Sequence, residues 1–243
     1  VMDYPGVIGG RERMLSILQA ARAKKTLICG HCPQLRGAEL QAYLAAGPDS
    51  DHEIFDAGEM LEKIRTGMTV EAHESFHSSN IAELAETLAR LPLLPPNVTF
   101  CIDDLPAQSL LELGHIDNCL RVAVRAGMDP VVALRIAAQH AAARCRLHDL
   151  GVVAPGKTAD LVLWQDLQGF QAEWVICDGQ VTANRGRMLL HIPARRHPLE
   201  ERQTVKLFSR PTAADFSIKS SAIEQRVNAI ESLDGLANRF TVL

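Results

Sequence analysis

Two histidines, His31 and His52, lie 21 residues apart, each where a short apolar or small-residue run gives way to a turn. The runs are Thr26-Leu-Ile-Cys-Gly-His-Cys-Pro33 and Ser50-Asp-His-Glu53, and the interval holds one helix-length segment, residues 37–46. That is the layout of successive strand ends in a (β/α) repeat, each delivering one imidazole to the same face. Asp103 closes a third apolar run, Asn97-Val-Thr-Phe-Cys-Ile-Asp103. Three such side chains on one rim suit a divalent metal that activates water, and iron, manganese and zinc all accept imidazole and carboxylate. The spacing predicts a metal-dependent hydrolase half-barrel.

Other residues compete for roles at that rim. His73-Glu74-Ser75 also ends an apolar run and could meet a substrate or do nothing. An aspartate on the metal can take a proton from water and pass it to a leaving group; Asp103 is the choice for that, with Asp104 as a helix cap or support. His115 follows a glycine at a break between helices and either reaches the rim or caps. Cys29-Gly-His-Cys32 has the dithiol spacing of thiol-disulfide isomerases. The apolar run before it and Pro33 after it favour a buried strand cysteine instead. The chain has no Gly-rich phosphate loop and no GxSxG elbow.

Positioning these residues requires alternating strands and helices. Residues 1–8 read as the tail of a strand and a loop broken by Pro5-Gly6, and 11–23 as a helix. Strands are expected at 26–30, briefly at 49–53, at 68–72 and at 98–102. Helices are expected at 37–46, 57–65, 80–91, 105–113 and 116–126, and a long Ala-rich helix at 130–147 opens on Pro130. This is a parallel α/β pattern with helices outside. After Asp149 the pattern turns to β, with Asp178-Gly179 marking a hairpin; 205–208 could form a strand, and 221–236 is ambiguous. The expected domains are residues 1–148, a partial barrel of strands five to eight, and 149–243, a small β-rich domain.

Composition narrows the partners. A 243-residue chain with 47% hydrophobic residues can build a sizeable core. A formal net charge of -4 and 5% aromatic residues argue against nucleic acid. No apolar run approaches a membrane span and no signal segment opens the chain, which predicts a cytoplasmic protein without membrane contact. Six cysteines in a chain this long are expected to be reduced.

Several segments resemble the adenine deaminases of the amidohydrolase superfamily. They are Met2-Asp-Tyr-Pro-Gly-Val7, His31-Cys-Pro-Gln-Leu-Arg-Gly37, Ala45-Ala-Gly-Pro-Asp-Ser-Asp-His-Glu53, Phe100-Cys-Ile-Asp-Asp104, Gly114-His-Ile-Asp117 and the returning run from Asp149 to Leu163. The resemblance implies the C-terminal half of a (β/α)8 barrel followed by a β-rich domain. It implies hydrolytic deamination of adenine to hypoxanthine and ammonia, with His31, His52 and Asp103 helping to hold a two-metal centre of manganese or iron. Asp103 and Glu74 would move protons, and His73, Glu74, Ser75, Asp104 and His115 would lie on the substrate side. It also implies a homo-oligomer. His73 departs from the family's arginine, and Gln34 and Arg36 stand where small residues are usual. The family's His-x-His pair and bridging glutamate have no counterpart in this sequence, so the chain reads as a fragment that folds poorly alone, binds metal weakly and turns over negligibly. The competing readings are an amidohydrolase acting on a cyclic amide or another amino-heterocycle, and a non-catalytic fragment.

Overall fold

The computed structural model describes residues 1–75, 78–193, 205–217, 226, 228–233 and 237–242. The chain does not open on a strand. Helix α1 (Tyr4–Ile8) starts at once, with the Asp3 carboxylate accepting from the Gly6 amide at 3.0 Å and a proline in the first turn. The Pro-Gly pair read as a breaker therefore works as a helix start, where proline's missing N–H costs nothing. Helix α2 (Glu12–Ala23) follows as expected.

Residues 26–30 run extended but form no strand. The Ile28 carbonyl accepts from the Asp49 amide at 3.1 Å, and the Gly30 amide donates to Ser50 Oγ at 3.3 Å, so one backbone bond and one side-chain bond stand in place of a ladder. Gly30 is obligatory here: a Cβ would sit 2.1 Å from the Ser50 carbonyl oxygen. Helix α3 (Gly37–Ala46) then ends at Gly47, whose φ of 130° no L side chain adopts easily.

Strand β1 (Ser50–Asp51), helix α4 (Ala57–Arg65), strand β2 (Thr69–Ser75), helix α5 (Ile81–Ala89) and strand β3 (Val98–Asp103) alternate as the sequence predicts. The strands form a parallel sheet in the order β1-β2-β3, with Ser50 opposite Thr69 and Ser75 opposite Asp103. Helices α6 (Ala107–Leu113) and α7 (Ile116–Arg125) come next. The long helix expected at 130–147 is divided: α8 (Pro130–Arg135), a π-helical turn (Ile136–His140) and α9 (Ala141–Arg144). The π turn places His140 Nδ1 3.0 Å from the Val98 carbonyl of β3, tying this helix to the sheet.

One face of the sheet (Val70, Ala72, Val98 and Phe100) packs against Met60 and Ile64 of α4, Ile81 and Leu84 of α5, Cys119 and Leu120 of α7, and Ile136. A second cluster gathers Leu18, Ile28, Leu40, Tyr43 and Met68 around the first three helices. At about 25 cal/mol per Å² of apolar surface, such burial is the main force holding helices to one side of the sheet.

Strands β4 (Leu161–Trp164), β5 (Ala172–Cys177), β6 (Gln180–Asn184) and β7 (Arg187–Met188) make an antiparallel meander. Asp178 (φ 48°) and Gly179 (φ 75°) form the expected two-residue turn between β5 and β6. Residues Val1–Leu189 form one compact unit and Leu190–Leu243 another, so the meander belongs to the unit that holds the parallel sheet. In the second unit residues 205–208 are not strand, and a hairpin pairs β8 (Asn228–Leu233) with β9 (Ala237–Val242). Much of the ambiguous 221–236 segment lies outside the described residues. Among the described residues no helix is long and apolar enough to cross a membrane.

Candidate metal centre

His31 leaves the extended 26–30 segment, His52 follows β1 directly, and Asp103 is the last residue of β3. Their side chains meet. His52 Nε2 lies 3.3 Å from His31 Nδ1 and 3.5 Å from Asp103 Oδ2. The two imidazole rings are tilted by 50° with centroids 5.2 Å apart. Donor atoms of His31, His52 and Glu53 lie within 4.8 Å of one another, whereas Asp103 falls outside that group and makes its contact with His52. Two imidazoles with flanking carboxylates, half-open to solvent, suit a borderline divalent cation. Glu53 is a donor that spacing arguments missed. Alternation would turn it away from His52 in a strand, but β1 stops at Asp51, and beyond it consecutive side chains can share a side.

Burial, and then the neighbouring His52, push the His31 pKa below the ordinary 6.5, so its imidazole is neutral and able to donate a lone pair at neutral pH. His140 is lowered as well, again chiefly by burial. For both, the unfolded chain takes up protons more readily than the folded one as pH drops through 6.5. Their contribution to stability is therefore full above that pH and declines below it. Thermal unfolding is expected at a lower temperature at about pH 5.5 than at about pH 7.5, the His140→Asn variant showing a smaller difference.

His73 is 2% exposed, and both ring nitrogens are engaged: Nδ1 with the His52 carbonyl at 2.7 Å and Nε2 with Ser78 Oγ at 2.9 Å. Asn80 Nδ2 donates to the same His52 carbonyl at 3.0 Å while its Oδ1 accepts from the His73 amide. This pair holds the His52 backbone from beneath. Ser75 Oγ donates to the Ser78 carbonyl at 2.9 Å. Glu74 does not join the cluster. Alternation along β2 sets it on the side of Val70 and Ala72, opposite His73, where its charge helps burial raise the Cys119 thiol to about 12. Its Oε2 is buried and has no hydrogen-bond partner among the described residues.

Asp104 is exposed, with φ 46°, and caps nothing: Pro106 stands at the α6 N-cap position and no side chain bonds there. His115 occupies the N-cap position of α7 without a side-chain cap bond. It lines an open cavity with Ile116, Val162, Trp164 and Phe170, against the meander. The dithiol reading loses its second thiol, since Cys32 is fully buried and burial, then Asp51, raise it to about 12.

An α/β layer with an imidazole-carboxylate cluster at the C-terminal ends of parallel strands is the setting of a metal-assisted hydrolase, and the chain belongs to the amidohydrolase family, whose model matches residues 1–182. Among its curated relatives it is 40% identical to the adenine deaminase of Serratia proteamaculans, over 99% of this chain and 40% of that protein. It is 39% identical to adenine deaminase 2 of Agrobacterium fabrum, over 95% of this chain and 38% of that protein. The chain thus spans about 40% of the length of the curated relatives it matches. Among solved structures it is similar to a triazine hydrolase variant, with a TM-score of 0.47, 16% identity, and coverage of 73% of this chain and 48% of that one.

Proposed function

We propose that this chain provides the metal-binding and proton-transfer rim of an adenine deaminase, converting adenine and water to hypoxanthine and ammonia. The carrying observation is the convergence of His31, His52 and Asp103 from three separate segments onto His52 Nε2, in a chain 40% identical to an adenine deaminase. Residues 1–148 are read as the second half of a (β/α)8 barrel, and the meander as a β-rich addition within the same compact unit, Val1–Leu189. The three-strand parallel sheet and the antiparallel meander support that reading.

His31, His52 and Asp103 would hold a divalent cation, manganese or iron, and Glu53 stands within reach of the same position. Such a cation supplies Lewis-acid activation of water for attack at C6 of the purine. His31 binds as a neutral imidazole. Asp103, whose side chain is 41% exposed, can reach both water and the leaving group, so it takes the proton at a carboxylate oxygen and returns it to the departing amino nitrogen. His73 is assigned to holding His52 rather than to touching substrate. Glu74 lies on the core side of β2, opposite His73, so no proton-carrying role is assigned to it. Ser75, Asp104 and His115 would border the purine. Six free cysteines fit a reducing, cytoplasmic setting, and a homo-oligomer is the expected assembly.

The test is ammonia release by the complete protein carrying this chain, loaded with Mn(II) or Fe(II) and offered adenine, other aminopurines and cyclic amides in turn. Adenine is expected to be the preferred substrate by at least about tenfold in kcat/KM, as hydrogen-bonding sites discriminate. Cleavage of a cyclic amide with adenine untouched would replace this reading by another amidohydrolase activity.

A further inference from the structure

Beneath the two histidines lies a charged triad sealed from water. Lys63, Asp51 and Glu59 have fully buried side chains. The Lys63 ammonium spends its three donors on Asp51 Oδ2 (2.5 Å), Glu59 Oε1 and the Cys32 carbonyl (2.9 Å). Asp51 Oδ1 accepts from the Cys32 amide at 3.0 Å and from the Glu53 amide at 3.2 Å. Glu59 accepts from the Gln34 amide at 2.7 Å and the Phe55 amide at 3.0 Å. Five backbone groups, all within three residues of His31 or His52, thus end on one buried ion cluster.

Stability alone does not require this arrangement, because well-packed apolar residues of equal volume serve folding as well as a buried ion pair or better. What apolar packing cannot supply is direction. Cys32 and Glu53 are the residues immediately after the two histidines, and the same carboxylate oxygen holds both amides. No β-ladder joins the 26–30 segment to β1, so the relative placement of the two imidazoles falls to these bonds.

We propose that Lys63, together with Asp51 and Glu59, is a positioning group that locks the turns after His31 and His52 so that both imidazoles face one cation. The inference rests on the metal reading of the site given above. The complete protein, stripped of metal and titrated with Co(II), provides the test through binding affinity and the visible absorption of the bound ion. The double variant Glu59→Gln with Lys63→Met removes one charge of each sign and so leaves the net charge of the cluster unchanged. It is expected to bind Co(II) at least about tenfold more weakly, with an altered spectrum, the size of effect seen when groups behind metal ligands are lost. Leu84→Ala, a core change in α5, serves as the control for lowered stability and is expected to keep both affinity and spectrum. Asp51→Asn, which keeps the volume of the side chain, gives a second readout and is expected to follow the double variant. If both triad variants fold and bind Co(II) as the unaltered protein does, the positioning role is overturned. If the unaltered protein and His31→Ala bind Co(II) alike, the metal reading itself falls and takes this inference with it.

Discussion

His52→Ala is expected to lower adenine turnover by roughly 10²–10³-fold or more, the scale on which loss of one preorganised transition-state contact acts. The reasoning is geometric. His52 Nε2 is the atom common to the His31 and Asp103 contacts, so its removal takes away a ligand and also the group against which the other two are aligned. His31→Ala removes only one of those contacts and should leave more metal bound. The His52 side chain is 24% exposed, and its backbone is held separately by His73 and Asn80. The melting temperature should therefore shift little while metal content and kcat collapse. Steady-state kinetics beside metal analysis of the purified variant check this, and a variant with normal metal content and normal kcat would remove the chemical basis of the deaminase reading.

The largest loss of stability is expected from Lys63→Met as a single change. It leaves Asp51 and Glu59 buried without their cation, and breaking a buried pair from one side costs about 3–5 kcal/mol. Burial alone would lower the Lys63 pKa, but Asp51 and Glu59 outweigh it and the net shift is upward. A raised lysine pKa gives stability that is fully present below the unfolded value of about 10.5 and lost only as pH climbs through the higher folded value. The deficit of the variant should accordingly be undiminished across the neutral range and visible in urea unfolding at pH 7. Adding Glu59→Gln should restore part of it, because a carboxylate then leaves with the ammonium.

Much of this fold was legible because its signals are local. Gly47-Pro48 ends α3, Asp178-Gly179 makes the β5–β6 turn, and the apolar runs before Ser75 and Asp103 are strands that pair in parallel. The approach of Asp103 to His52 was legible for the same reason, since strand ends in a repeat share a rim, while His31 arrives on a segment that forms no strand. What escaped depends on distant partners. Glu59 and Lys63 stand four apart on α4, and nothing in their own segment marks them as buried, yet both are sealed off against Asp51. The 26–30 run has the composition of a strand but takes its bonds from Ser50 Oγ and Asp49 rather than from a ladder. The short helix α1 was masked by a Pro-Gly pair whose meaning turns on the Asp3 cap. His73 showed its chemistry in the sequence but not that Ser78 and the His52 carbonyl already engage both its nitrogens.

The contact between His31 Nδ1 and His52 Nε2 places one hydrogen between the two rings, the tautomer deciding which nitrogen carries it. One of those nitrogens donates it and the other accepts it. A cation seated between them needs both lone pairs turned inward, so the donating ring must shift its hydrogen to its outer nitrogen. Metal loading would then change the tautomer of one ring, written in the ¹⁵N resonances of a single imidazole.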